Sequence, residues 1–377
     1  MQIIEVTNKK LQKQFIDFPH DLFKNDENYV PELFIDREEV LNKDKNPFFK
    51  HSKATLFLAL RDNKVVGRIA AIRNNNYNEF TEKNVGYFGF FDVIKDYEVA
   101  EKLLDTAHDW VKNEGLDAIL GPTNFSTNDT AGLLVEGFDS PPVIMMTYNA
   151  EYYKEFLKKY GFEKSMDMFA YYVHKDTANM KSVRLIGRLE ERLARSGIKI
   201  RPIVKKKFWE EVKNIENVYI KAWDKNWGFV PPTADEFHHL AEGLKMVVDA
   251  DLALVAEHDG EMIGFVVAIP DLNIILKNVK RGRLLPFGIF KLLGGLLFRK
   301  KKIKTIRIML LGVIEDYRKR GIEGVLIGKV ISNALEKGYV DGEASWILEN
   351  NEMMRKGVEG VNMQPYKRYR IYEKKIS

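Results

Sequence analysis

The sequence predicts an α/β protein built as two similar halves, each a mixed, mostly antiparallel sheet flanked by helices. Three observations predict it. At 377 residues the chain exceeds the size at which a single core keeps growing. Two strand–turn–strand segments, "ATLFLALRDNKVVGRIAAIRN" (54–74) and "ADLALVAEHDGEMIGFVVAIPD" (250–271), begin 250 − 54 = 196 residues apart. In each, a polar turn separates two β-rich runs, the mark of a hairpin. The elements after each hairpin then follow one order, as duplication of a whole domain would produce.

In the first half, helices are expected over 8–23 and 33–42, then the hairpin, then a strand in "VGYFGFFDVI" (85–94). "EVAEKLLDTAHDWVKNEG" sets Val99, Leu103, Ala107 and Trp110 on one helical face and stops at Gly115. "LDAILGP" reads as a strand, "YNAEYYKEFLKKYGFEK" as a short helix ending at Gly161, and "MFAYYVHK" as a closing strand. A boundary is expected near residue 177, giving domains 1–177 and 178–377. The second half opens with a helix and a strand in "DTANMKSVRLIGRLEERLARSGIKIRPI". Helices are expected over 205–221 and 233–247, then the hairpin and the strand "KTIRIMLLGVI". "RKRGIEGVLIGKVISNALEKGY", "EASWIL", "NNEMMRKGV" and "PYKRYRIYEK" read as helix, strand, helix and last strand. Between copies of strand and helix in the first half lies a loop of residues 120–149, expected to be packed through Leu133, Leu134, Phe138, Met145 and Met146.

The composition is that of a globular protein, 45% apolar and 30% charged. No cysteine is present, which removes disulfides and thiolate chemistry and suits a cytoplasmic location. The start, "MQIIEVTNKKLQ", lacks an export-signal pattern. Seven histidines show no zinc-type spacing, so no metal is expected. The net charge of +5 conceals one block: from 272 to 314 there are eleven cations and no acid, leaving 5 − 11 = −6 elsewhere. Within it, Leu284 to Phe298 is apolar but for Lys291, too short for the roughly 20 residues of a membrane span. Basic flanks beside an apolar run suit an anionic membrane surface, expected through 277–304, and peripheral attachment at the inner membrane face. Nucleic-acid binding leaves the Leu/Phe run unexplained and is not expected.

The chemistry-bearing motif is the turn after the strand 304–314. Arg318, Lys319, Arg320, Gly321, Ile322, Glu323 and Gly324 launch a helix there. Unpaired N–H groups and the positive dipole end bind phosphate, and glycine lets the backbone approach it. This order of elements, with its "RxxGx" turn, resembles the acyl-CoA N-acyltransferase (GNAT) superfamily. The resemblance implies acyl-CoA as co-substrate, its diphosphate on that turn and its pantetheine arm in a gap beside the preceding strand. Val313 or Ile314 would offer a backbone N–H to the thioester carbonyl, with Asn351 among the CoA-binding residues. Glu323 departs from the pattern, standing where a second small residue is usual. At the matching turn the first half reads "FFDVIKDYEVAEK", with Asp92, Asp96 and Glu98 and no glycine, so no CoA site is expected there.

"GPTNFSTNDTAGLLVEGFDSPP", "AWDKNWGFVPPTADEF" (222–237), "VAIPDLN" and "YKRYRIYE" look like the tandem acyltransferase family that includes bacterial ceramide synthases. That implies acyl transfer from acyl-CoA to an amine, with a long-chain base as the favoured acceptor. Asn124 and Asn128 in the first half, and Trp223, Asn226 and Trp227 in the second, are candidates to line the acceptor site. Candidate bases are Glu349, Asp271 and His238. The family's usual tyrosine acid is missing from its position, leaving Tyr366, Tyr369 or a water to protonate the thiolate. Two other functions remain open: acetyl transfer to a small or peptidic amine, and a silent lipid- or protein-binding module.

Overall fold

The computed structural model describes residues 1–285, 288–289 and 302–376. Contacts group the chain into two compact units. The first comprises Met1–Asp167, the described part of Asn273–Arg299, and Lys367–Ser377; the second comprises Met168–Leu272 and the described part of Lys300–Tyr366. A single cut near residue 177 does not separate them.

In the first unit β1 (Gln2–Glu5), β2 (Lys53–Arg61), β3 (Lys64–Arg73), β4 (Val85–Val93) and β5 (Ala118–Gly121) form a sheet in chain order. The hairpin turn falls on Asp62 and Asn63, both at positive φ, as a two-residue turn requires. Helices α1 (Lys9–Leu22), α2 (Phe34–Val40), α3 (Asn75–Thr81), α4 (Tyr97–Asn113) and α5 (Tyr153–Tyr160) complete it. Val99, Leu103 and Ala107 of α4 are fully buried against Ile69 and Phe88. The loop 120–149 carries three short strands, β6 (Thr123–Asn124), β7 (Thr130–Ala131) and β8 (Leu133–Glu136). Leu133, Leu134 and Met146 are buried as expected, while Met145 is exposed.

The second unit contains β10 (Ile198–Pro202), β11 (Ala253–His258), β12 (Glu261–Pro270), β13 (Thr305–Val313) and β14 (Asp341–Leu348). These pair in the order β10-β11-β12-β13-β14, antiparallel except for the parallel β13–β14 pair. Its helices are α6 (Met180–Arg195), α7 (Phe208–Trp223), α8 (Ala234–Leu244), α10 (Ile322–Glu336) and α11 (Glu352–Gly360); the short α9 (Asn273–Leu276) belongs to the first unit.

The closing strands are exchanged. The strand expected to close the first half, β9 (Glu163–His174), pairs through Met168–His174 with β14 in the second unit. The last strand of the chain, β15 (Gln364–Lys375), pairs with β5 and β8 in the first. Both are twelve-residue β-rich runs, so local pattern does not say which sheet each completes.

The basic block is divided as well. Asn273 donates to the Pro142 carbonyl at 2.7 Å. Arg281 pairs with Asp21 at 2.5 Å, and Arg283 pairs with Asp17 at 2.7 Å and lies 3.9 Å from the Phe34 ring centroid. Two of the eleven cations are therefore committed to α1 of their own unit. Ile274 and Leu285 are exposed, as are Lys277 and Lys280. Most of the apolar run 284–298 lies outside the described residues.

Candidate acyl-CoA site

β13 and β14 are parallel partners only over Thr305↔Asp341 to Ile308↔Ala344. Beyond that vertex β13 runs on to Val313 and β14 to Leu348 with no further pairing between them. On its other edge β13 stays paired to β12 up to Gly264↔Val313, with a bulge opposite Val267/Ala268.

The register shows which groups face the gap. The Ile314 N–H is taken by the Ile263 carbonyl at 3.0 Å. Backbone groups alternate sides along an antiparallel strand, so the Val313 and Leu311 N–H and C=O groups point away from β12 and into the gap. Two contacts agree: the Leu311 carbonyl accepts from Trp223 Nε1 at 3.0 Å, and the Val313 carbonyl from Arg318 Nε at 3.0 Å. The N–H groups of Val313 and Leu311 thus line the opening. Of the two donors expected, Val313 faces the gap and Ile314 is spent in the sheet.

The chain leaves β13 through a short helical turn at Glu315–Tyr317 and reaches α10 through Lys319 at φ 63° and Gly321 at φ 89°. The left-handed conformation at Gly321 suits glycine. A Cβ there would also lie 2.6 Å from Leu189 of α6. Gly328 is likewise pressed on α6, a Cβ meeting Ile186 at 2.2 Å. Gly324 differs: within 4 Å of a Cβ there is nothing, so packing does not demand this glycine. The first intrahelical acceptance from this turn is Val325 N–H to Gly321 C=O, and no side chain caps the helix start. The amides of Ile322 and Gly324 therefore lack intrahelical acceptors, the arrangement that holds a phosphate, while the Glu323 N–H is turned to its own carboxylate.

The cations around it divide. Lys319 and Arg320 are exposed, Arg320 lying 4.8 Å from the Tyr317 ring centroid. Arg318 instead braces the turn, donating to the Val313 carbonyl and to the Ala222 carbonyl at 2.6 Å. Glu323 is half-buried, and burial pushes its carboxyl above the usual range, opposed by its own backbone N–H and by Arg318.

The first unit has the same parts, filled by its own chain. β4 and β5 are parallel over Val85↔Ala118 to Tyr87↔Leu120, after which β6 lies on β4. The Thr123 carbonyl would be 1.7 Å from a Cβ on Gly89, and Asn124 Oδ1 accepts from the Phe90 N–H at 2.7 Å. The start of α4 is capped by Asp96, which accepts from the Glu98 N–H and pairs with Arg61 at 2.8 Å. Asn124, expected at the acceptor, is a backbone cap, and its amide nitrogen donates to Thr130; the Asn128 N–H donates to Ser126 in the same loop.

Other expected residues fall apart in space. His238 stacks on Trp209 at 3.9 Å. Trp209 and Trp223 occupy opposite ends of α7, fourteen residues or roughly 21 Å apart, so His238 is distant from the gap. The Asp271 N–H donates to the Thr305 carbonyl at the start of β13, on its β12 side. Glu349 follows β14 at the wide end of the gap, its carbonyl accepting from Arg355 at 3.3 Å. Asn351 caps α11, accepting from the Met354 N–H at 3.1 Å, so its side chain is engaged in the helix end. Trp223 stands at the gap; Asn226 is tied by its N–H to the Trp223 carbonyl in the turn that carries Trp227. Asn124 and Asn128 belong to the other unit. Among the described residues, no cluster of three or more histidines and acids could hold a metal, and no helix is long and apolar enough to cross a membrane.

No family model matches the chain. It is 35% identical over 381 residues to the bacterial ceramide synthase of Caulobacter vibrioides, covering 100% of this chain and 98% of that protein. The chain belongs to the bacterial ceramide synthase family. Protein YghO of Escherichia coli is also 35% identical, over 98% of this chain and 94% of its own length. Among solved structures, the tandem GNAT protein of the clavulanic acid pathway matches with a TM-score of 0.60 at 10% identity, over 100% and 98% of the two chains. A GCN5-related N-acetyltransferase from Sphaerobacter thermophilus gives 0.52 at 13% identity, over 99% and 96%. Both share the tandem GNAT fold. With this fold and a ceramide synthase relative over its full length, the chain is an acyl-CoA-dependent acyltransferase of the GNAT type.

Proposed function

We propose that the protein transfers a fatty acyl group from acyl-CoA to the amine of a lipid-like acceptor, using only its second unit to hold CoA. The observation that carries the reading is the uncapped glycine start of α10 at the wide end of the β13–β14 gap. The diphosphate rests on the amides of Ile322 and Gly324, with Lys319 and Arg320 beside it. The pantetheine arm lies along β13 as a surrogate strand, bonded to the Val313 and Leu311 N–H groups. Trp223, Asn226 and Trp227 flank it. The thioester carbonyl is polarised by a backbone N–H of β13, which is aimed before reaction begins.

The acceptor class is supported by the relationship to a ceramide synthase and by the cation-rich block. A sixteen-carbon tail drawn wholly into water costs on the order of 10 kcal/mol, at about 0.8 kcal/mol per CH₂. Reversible adhesion at an anionic surface, about 1 kcal/mol per engaged cation, would let the tail pass directly from bilayer to site. Arg281 and Arg283 are excluded from this role by their partners on α1.

The test is thiol release from acyl-CoAs of graded length with long-chain and short polar amines, with and without anionic vesicles. Release that requires a long chain on both substrates is expected. Acetyl-CoA with a polar amine as the preferred pair would overturn the lipid acceptor, and no CoA binding would overturn the site.

A further inference from the structure

The vertex of the gap holds a buried polar cluster that the sequence does not announce. Arg307 and Glu343 are register partners on β13 and β14, 2% and 0% exposed. Ser345 donates to Glu343 Oε1 at 2.7 Å, and Arg307 Nε donates to Ser345 Oγ at 3.0 Å. Tyr366, at the start of β15, donates to Glu343 Oε2. Tyr172 stands opposite Glu343 on β9, its ring 5.6 Å from that of Tyr366 and its hydroxyl donating to Asp341 at 2.5 Å. Burying a carboxylate and a guanidinium costs several kcal/mol per ion, and apolar residues of equal volume commonly fill such space with no loss of stability. Packing alone is therefore a poor reason for this set.

Its location supplies a better one. Ala344 is the last β14 residue paired to β13, so Ser345 is the first along the open gap. From Val313 back to Ile308 is five residues of strand, roughly 16 Å. A pantetheine arm that runs along β13 from the start of α10 brings its thioester to that vertex.

We propose that Ser345 and Glu343 form the proton relay of acyl transfer. As the amine nitrogen bonds to the thioester carbon, Ser345 Oγ receives the nitrogen's proton and passes its own to Glu343 Oε1. The C–S bond then breaks, and the proton held on Glu343 returns through Ser345 to the departing CoA thiolate. Ser345 is the residue that meets the reacting atoms. Glu343, Arg307 and Tyr366 act through it: Arg307 occupies the hydroxyl's lone pair so that its proton points at Glu343, and Tyr366 holds the second carboxylate oxygen. Among the described residues, the groups set about Glu343 include Arg307 on β13, Tyr172 on β9, Tyr366 on β15, and Ser345 and Asp341 on its own strand. This inference rests on the acyl-transfer reading above.

The test uses the full-length chain with a sixteen-carbon acyl-CoA and a long-chain amine. For Glu343→Gln and Ser345→Ala, kcat should fall 10²- to 10⁴-fold, the usual size of a general-base contribution. The Kd for acyl-CoA should stay within about twofold of wild type, since the relay acts on a proton that moves only in the transition state, while the diphosphate and pantetheine contacts that hold CoA are untouched. Ser345→Ala added to Glu343→Gln should lower kcat little further, because the two act as one relay, whereas two independent packing defects would multiply their losses. Should Glu343→Gln fail to fold, Ser345→Ala and Tyr366→Phe carry the test, each deleting one hydroxyl. An active wild type with variants at wild-type kcat overturns the relay alone. A wild type that releases no thiol overturns the transfer reading and the relay with it.

Discussion

Glu323 is the residue that most opposes a diphosphate at α10, and replacing it tests the site directly. Its carboxyl lies half-buried over the first turn, one residue before the open Gly324. At about 6 Å, two unit charges interact by about 2.8 kcal/mol at an effective dielectric of 20 and about 0.7 kcal/mol in bulk water. A half-buried group falls between, so Glu323→Gln should tighten CoA binding by about 1–2 kcal/mol, roughly 5- to 30-fold in Kd. The sign with pH follows. Burial raises this carboxyl's pKa, so as pH falls through the raised value the charge is lost and wild-type affinity should climb towards that of Glu323→Gln. Titration calorimetry on both proteins at matched pH, from neutral into the acid range, cancels the ligand's own protonation. Equal affinities for the two proteins across that range would mean that the diphosphate is not beside Glu323, and the placement of CoA at α10 would be refuted.

Gly321→Val introduces a Cβ at φ 89°, 2.6 Å from Leu189, and should abolish measurable CoA binding while lowering the melting temperature. Leu189→Ala in the same chain should relieve only the clash, which differential scanning calorimetry would read as partial recovery. Trp223→Phe removes the donor to the Leu311 carbonyl and should cost about 1–2 kcal/mol in urea unfolding, with a raised KM for acyl-CoA. In the first unit, burial lowers the His20 pKa to about 4, so it stays neutral at pH 7 beside Tyr29, 2.9 Å away. Its folded pKa lies below its unfolded value of 6.5, so the unfolded chain binds the extra proton. The contribution is present in full above about pH 6.5 and is lost as pH falls towards 4, on the order of 3 kcal/mol. Urea midpoints at pH 4.5 and 7.5 should differ less in His20→Gln than in wild type.

The element list was legible in the sequence because it rests on local rules. Period-two runs around "RDNK" and "EHDGE" gave hairpins at β2–β3 and β11–β12, and 3.6-residue periodicity placed α4 and α10. "RKRG" after a long strand marked the turn on which the diphosphate is proposed to rest. Of the carboxylates in "FFDVIKDYE", Asp96 caps α4. The charge asymmetry of 272–314 was equally visible, although not that Arg281 and Arg283 spend their charge on Asp17 and Asp21.

What the sequence determined alone was thus the inventory: two copies of one α/β plan, one copy with a phosphate-ready turn, and a single cationic, apolar block. Tertiary structure decided which strand closes which sheet, because β9 and β15 carry the same pattern and pairing partners far apart in the chain leave no local trace. It also decided which backbone N–H groups reach the gap, since a register set by Gly264↔Val313 spends Ile314 and frees Val313. And it assembled Arg307, Glu343 and Ser345 with Tyr366 from three strands; only Tyr366 stood out in the sequence, because the other three come together only where β13 and β14 part.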